Sequence, residues 1–414
     1  MHTHLYPPTF GTPVSNKTGK TDPTGLCLWG IDELVTYHYL IAEVFRVVPP
    51  STLPYEQFWK MSRAQQADHI WKHLFVERAP LSEACRGVLT TLQKVGLDPN
   101  EKTLEPYRQF FNQLDPNEYI DRVMHLANVS SITMTNAVFD DNERNRWVKD
   151  STIGSDSRFK AVLRIDPLLV NWPDAAKKLA GWGYRVTEEV SVASIAEVRR
   201  FLTDWIDKQK AIYLALSLPP EFRCPASESD PVARAGQRIL EQAILPICAD
   251  RNLPFAMMIG SRRAVNPALN DAGDMGGVSD IASVTYLCRQ FPKNRFFVTM
   301  LARENQHELA VAARKFGNLM VFGCWWFLNN PSLITEIERM RFELLGTSFI
   351  PQHSDARILD QLLYKWEHSR KIIAQVLTEK FTDIMETGRR ISEADLAKEI
   401  KRLLEGNFTQ FLER

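Results

Sequence analysis

The 414-residue chain is predicted to be α/β, a (β/α)8 or TIM barrel, on three observations. Short apolar runs alternate with longer helical stretches through its second half. Those runs are apolar nearly throughout rather than at every second residue. A long segment ahead of them reads as helix alone. Continuous apolarity marks strands buried on both faces of a parallel sheet, and strand–helix–strand repeated this often is a string of βαβ units.

The predicted strands are Val129 to Met134, Phe159 to Ile165, Ala211 to Leu218, Phe255 to Gly260, Arg295 to Leu301, Leu319 to Cys324 and Thr347 to Ile350. A barrel needs an eighth, and the extreme amino end, Met1 to Leu5, is the candidate; closure then sets the first and eighth strands side by side. An open doubly wound sheet competes, but no GxGxxG follows a strand to support a dinucleotide site. Helical patterns at Ala193 to Lys208, Ala233 to Ala249 and Gln306 to Phe316 supply crossovers.

Residues 1–30 hold the first strand and a Gly-, Pro- and Thr-rich loop, Pro13 to Gly25, expected to be mobile. Residues 31–126 form a helical insertion between the first and second strands, with helices at Ile31 to Phe45, Tyr55 to Phe75, Leu81 to Val95, Leu104 to Asn112 and Pro116 to Leu126. Residues 127–414 are the remainder of the barrel, with Ala356 to Arg414 as a barrel helix and extra C-terminal helices.

Composition narrows the function. At 44% hydrophobic the chain has material for a large core, and its 50 basic and 50 acidic side chains balance. That balance gives no reason to expect nucleic acid or a membrane as partner. Its longest apolar runs, such as Ala211 to Leu218, are too short to span a bilayer, and no secretory signal opens it. Cys27, Cys85, Cys224, Cys248, Cys288 and Cys324 form no CxxC pair, which suits a reduced cytoplasm.

Candidate chemistry gathers at the barrel's ends. In His2-Thr3-His4, residues two apart on a strand share a face, so two imidazoles can grip one divalent metal (Zn, Mn, Fe or Ni); a frayed polar terminus is the alternative. Asp355 follows the last strand, next to His2 and His4 in a closed barrel, where it can complete a two-His, one-carboxylate set or merely cap a helix near Ala356. Arg357 is a planar donor suited to a carboxylate, or half of a surface ion pair. Arg164, at the end of the third strand, faces either a polar mouth or Asp166. His38 falls on the stripe Leu34, His38, Ile41, Phe45, the pattern of a satisfied core histidine, and Tyr39 points about 100° away. His307 follows the sixth strand and Trp325-Trp326 the seventh, both barrel-mouth positions.

In order along nearly the whole chain, His2-Thr3-His4, Thr36-Tyr37-His38-Tyr39-Leu40, Leu163-Arg164-Ile165-Asp166, Gly323-Cys324-Trp325-Trp326-Phe327 and Asp355-Ala356-Arg357 resemble the uronate isomerases of the amidohydrolase superfamily, in their divergent bacterial branch. The resemblance implies His2, His4 and Asp355 as ligands of one divalent metal, zinc first. It implies Arg164 and Arg357 as holders of the substrate carboxylate and nearby oxygens, His38 and Tyr39 as the catalytic pair reaching the sugar from the insertion, and His307 and Trp326 as pocket residues. The implied partner is a small-molecule hexuronate, D-glucuronate or D-galacturonate converted to D-fructuronate or D-tagaturonate; a cytoplasmic location and a homo-oligomer are further expectations. In one departure from the family, the HxH opens the chain where the family has a leader; if upstream residues are missing, the first strand is expected to lack the backbone pairing that positions His2 and His4.

Two rival readings remain: a mononuclear metal-dependent hydrolase on the same barrel, and a catalytically impaired homologue that only binds the sugar acid. Binuclear hydrolases of that superfamily end their fourth strand in Lys and their fifth in His. Here the ends are Leu218-Pro219-Pro220 and Ile259-Gly260-Ser261, which offer neither ligand.

Overall fold

The structure is a computed structural model that describes residues 2–15 and 17–414. Among the described residues, eight strands form: β1 (Ile132–Ala137), β2 (Phe159–Arg164), β3 (Leu214–Leu218), β4 (Phe255–Ile259), β5 (Ser261–Arg262), β6 (Met275–Gly276), β7 (Phe296–Met300) and β8 (Leu319–Val321). Six of them make one parallel sheet in the order β1-β2-β3-β4-β7-β8. β5 and β6 are a small antiparallel hairpin, unforeseen in the sequence, set in the loop after β4.

The unbroken apolarity of the strands has a direct cause: alternate residues enter separate cores. Val162, Ala215, Ala256, Met258, Phe297 and Met320 fill one cluster. Leu163, Leu214, Leu216, Phe255, Met257 and Val298 pack into another, with residues of the surrounding helices. Register aligns Leu214, Phe255, Phe296 and Leu319 across four strands. Phe411, on the last helix (Asn407–Glu413), seats its ring 4.8 Å from Phe297, and Arg295 donates to the Phe411 carbonyl just ahead of β7. The extra C-terminal segment therefore seals the end of the barrel where strands begin.

The predicted first and last strands are present only as single bridges. Thr3 pairs in parallel with Met134, and Ile350 with Phe322. Proline limits both: Pro7 and Pro8 follow the first bridge and Pro351 the second, and proline has no N–H to extend a ladder. Met1, part of the predicted first strand, lies outside the described residues. The opening segment does have backbone pairing. Thr3 N–H donates to Thr133 O (3.0 Å), and Thr3 O accepts from Thr135 N–H (2.9 Å). His4 N–H reaches Ala356 O (2.7 Å), and Asp355 N–H reaches His2 O (3.2 Å). These last two bonds join the opposite edges of the sheet.

The insertion is helical, with breaks the sequence did not reveal. Its first predicted helix is two, Ile31–Val35 and His38–Val47, because Tyr37 is extended. Its second divides at Ser62, whose side chain and Gln65 make a reciprocal cap. The insertion packs on the long helix Gln361–Glu386: Gly87 lies so near Tyr364 that a Cβ there would sit 2.6 Å from the ring. Buried Asp360 accepts from the Gly30 N–H and the Tyr119 hydroxyl, tying the insertion to the start of that helix. The loop from Pro13 to Gly25 is anchored by Arg146, which donates to Asp22 and Thr24. All six cysteines are buried and free. Among the described residues, no helix is long and apolar enough to cross a membrane.

Candidate active site and metal centre

The bonds that join the sheet edges also position three side chains. His2 Nε2 lies 3.3 Å and His4 Nε2 3.6 Å from the same oxygen, Asp355 Oδ1. The three ligand atoms all fall within 4.8 Å of one another. His2 Nδ1 is engaged by the Thr135 hydroxyl at 2.9 Å, which fixes the ring and leaves Nε2 facing the group. His2 and Asp355 both have a left-handed backbone, with φ of 48° and 46°, uncommon for residues other than glycine.

Electrostatics suit a cation here. Burial alone would raise the Asp355 carboxyl, but contact with His2, together with the neighbouring imidazoles and the Lys365 ammonium, outweighs it and holds the group ionised, well below the usual carboxylate range. Burial, then the charge of Arg357, pushes His4 well below the ordinary imidazole value, leaving it neutral and able to ligate. Asp355 Oδ1 is buried and accepts no hydrogen bond. A carboxylate oxygen with no donor, facing two imidazoles, is a donor set that fits a divalent metal.

The sequence reading passed over His353, two residues before Asp355. It is fully buried, edge-on to His2 at 5.5 Å, and neither ring nitrogen has a partner. Its only signal was its place in Gln352-His353-Ser354-Asp355.

Beside this corner is a cavity of about 370 Å³, walled by His38, Tyr39, Trp326, Arg357 and Lys365, with Glu43 and Glu83 farther along the insertion. His38 is not the core histidine its stripe suggested. The helix restarts at His38, so His38 and Tyr39 form its first turn and both border the cavity. Their rings meet edge-on at 4.4 Å. Burial, then Arg357, holds His38 well below its usual value; burial, then Tyr37, raises the Tyr39 phenol well above its own. Trp326 opens the Trp326–Leu328 turn with φ of 46°, and Arg263 stacks over its ring at 5.0 Å.

The cations differ in their commitments. Arg164 is gripped by Asp166 through two bonds of 2.8 Å each and lies outside the cavity wall. Its charge still acts on His4. Arg357 pairs with Asp271 at 3.1 Å. Lys365, which the sequence reading missed, is buried in the wall; burial pushes its amine down to about 8, against the pull of Asp355. Asp355 does not cap a helix, since the next one starts only at Gln361.

His307 is not brought to the site. After β7 the chain makes a tight turn, Arg303–Asn305. Asn305 is then tied to Ser279, and Gln306 to the carbonyls of Met300 and Ala302. These bonds commit both neighbours inward and leave His307 exposed on the first turn of the following helix.

Fold and site together define a (β/α)8-barrel enzyme with a His-x-His and Asp donor set at its rim. Among solved structures, the chain is similar to a uronate isomerase from Bacillus halodurans C-125, with 50% identity over 100% of this chain and 92% of that one and a TM-score of 0.91. The chain belongs to the uronate isomerase family and is an isomerase. A uronate isomerase from Thermotoga maritima (13% identity, 99% of this chain and 94% of that one, TM-score 0.74) and a glucuronate isomerase from Caulobacter crescentus (15%, 100% and 90%, TM-score 0.71) share the fold. No protein-family profile matches the sequence, and a search of curated proteins finds no match.

Proposed function

We propose that the protein interconverts the aldose and ketose forms of a hexuronate: D-glucuronate with D-fructuronate, D-galacturonate with D-tagaturonate, or both. The observation that carries this reading is the meeting of His2, His4 and Asp355 at one point beside a cavity bordered by His38, Tyr39 and Arg357. His2, His4 and Asp355 would hold one divalent metal, zinc first. When bound, it supplies a Lewis acid that polarises the sugar's oxygens at the reacting end.

The chain's own groups have separable tasks. Asp355, ionised, takes the proton of the anomeric hydroxyl and passes it to the ring oxygen as the C1–O5 bond breaks. Arg357 holds substrate oxygens with its planar fork, exchanging its partly exposed pairing with Asp271 for the ligand. His38, held neutral, accepts the proton from C2, exchanges it with solvent, and delivers a proton to C1. Tyr39, held protonated, donates a hydrogen bond to the oxygen where charge develops, while a proton passes from O2 to O1. Trp326 gives the sugar an apolar wall. Six free, buried thiols suit work in the cytoplasm.

The test is conversion of each uronate by the zinc- or manganese-loaded protein in D2O, followed by NMR. The expected result is ketose carrying deuterium at C1. Retention of the C2 hydrogen at C1 would replace proton transfer by a hydride shift and remove His38 from its role. Absence of ketose from both substrates overturns the assignment.

A further inference from the structure

We propose that Lys365 is a second cationic anchor for the substrate, standing with Arg357 at the carboxylate and setting the preference for a sugar acid over its neutral analogues. This rests on the hexuronate reading above.

Lys365 lies just inside the helix Gln361–Glu386 and borders the cavity, with only 6% of the residue exposed. Its ammonium has one hydrogen bond, to the backbone oxygen of Asp355 at 3.3 Å. It stands 5.6 Å from the centre of the Tyr37 ring. Among the described residues, no carboxylate makes an ion pair with it, although it is buried. A buried ammonium held by one carbonyl and an aromatic ring, with no carboxylate in ion-pair contact, is costly, and that cost falls when an anion arrives.

The other cations near the site narrow the choice. Arg164 is paired in two bonds with Asp166, donates also to Ser217, and is not in the wall. Arg263 is paired with Asp274 and lies over Trp326. Arg357 is in the wall, and its one ion-pair partner, Asp271, has a side chain 72% exposed, so the pair is weak and exchangeable. Arg357 and Lys365 repel each other, and a carboxylate between them removes that repulsion. Their geometries are complementary: the guanidinium offers a planar fork, while the ammonium is a point charge that accepts an oxygen from many directions.

Zinc-loaded wild type, Lys365→Met and Lys365→Arg are compared by steady-state kinetics on both uronates. Calorimetry on the same proteins measures binding of the neutral hexuronamides, and zinc content and melting temperature are recorded. In Lys365→Met, KM for the uronates is expected to rise about 10- to 100-fold. We expect kcat and amide affinity to stay within about threefold, and Lys365→Arg to recover most of the loss. If the Met variant melts early, Lys365→Gln carries the same comparison. The inference fails if uronate and amide lose affinity equally, if kcat falls at constant KM, or if the variant sheds its zinc. Each of those outcomes means that Lys365 only holds the Asp355 segment. A wild type that converts neither uronate overturns the functional reading itself, and no variant is needed to see it.

Discussion

The centre of the sheet and its two edges solve different problems. In β3, β4 and β7 every core position is buried, each strand is paired on both sides, and side chains alternate between two apolar cores. At the edges, each segment keeps a single bridge, and polar residues are buried among the apolar ones: His2, Thr3, His353, Ser354 and Asp355. A regular ladder dictates where every side chain points. Bringing two imidazoles and a carboxylate from distant segments to one point requires leaving that ladder, and the left-handed backbone at His2 and Asp355 is the departure. Regular pairing builds the frame, and its interruption aims the donors.

Four substitutions test this division, in order of their effect on turnover. Asp355→Asn removes the charge shared by both histidines; activity on either uronate should fall at least about 10³-fold, with the melting temperature of the metal-free protein little changed. A variant that keeps turning over would remove the edge from catalysis. Thr135→Val deletes the group that holds His2 Nδ1, a support from β1 rather than from the site itself. Zinc affinity measured by chelator competition should drop about 10- to 100-fold, and excess zinc should restore rate. Asp271→Asn frees Arg357 from a partly exposed partner; KM should fall, by no more than about fivefold. Leu216→Ala, in the sheet centre, should destabilise by about 2–5 kcal/mol while leaving kcat/KM per folded molecule unchanged. A specific loss of turnover there would break the division.

The centre was the part most legible in the sequence. Phe255 to Gly260 reads as a buried strand and forms one, Phe255–Ile259, because both its faces meet apolar neighbours. His2, His4 and Asp355 stood out because metal-ligating types were unusual in their surroundings. Other features left no local signal. The break at Thr36 and Tyr37 interrupts an apolar spacing that would continue as one helix, with no Gly or Pro to mark it. The β5–β6 hairpin pairs two residues with two, too few to show a period. Lys365, in Gln361-Leu362-Leu363-Tyr364-Lys365, reads as the solvated side of an amphipathic helix. It is buried because the insertion covers it, and that is a long-range fact. His307 shows the reverse: a mouth position by sequence, turned outward by the hydrogen bonds of its neighbours.

The backbone at His2 and Asp355 has a consequence for anyone engineering this protein. Each of these residues stands where glycine would relax the chain, by about 1 kcal/mol or more apiece. A selection that rewards heat tolerance alone will therefore drift toward replacing them and return a hardier barrel with nothing left to do. Turnover has to be scored in the same round, or the most attractive thermostabilising substitutions will be the ones that erase the enzyme.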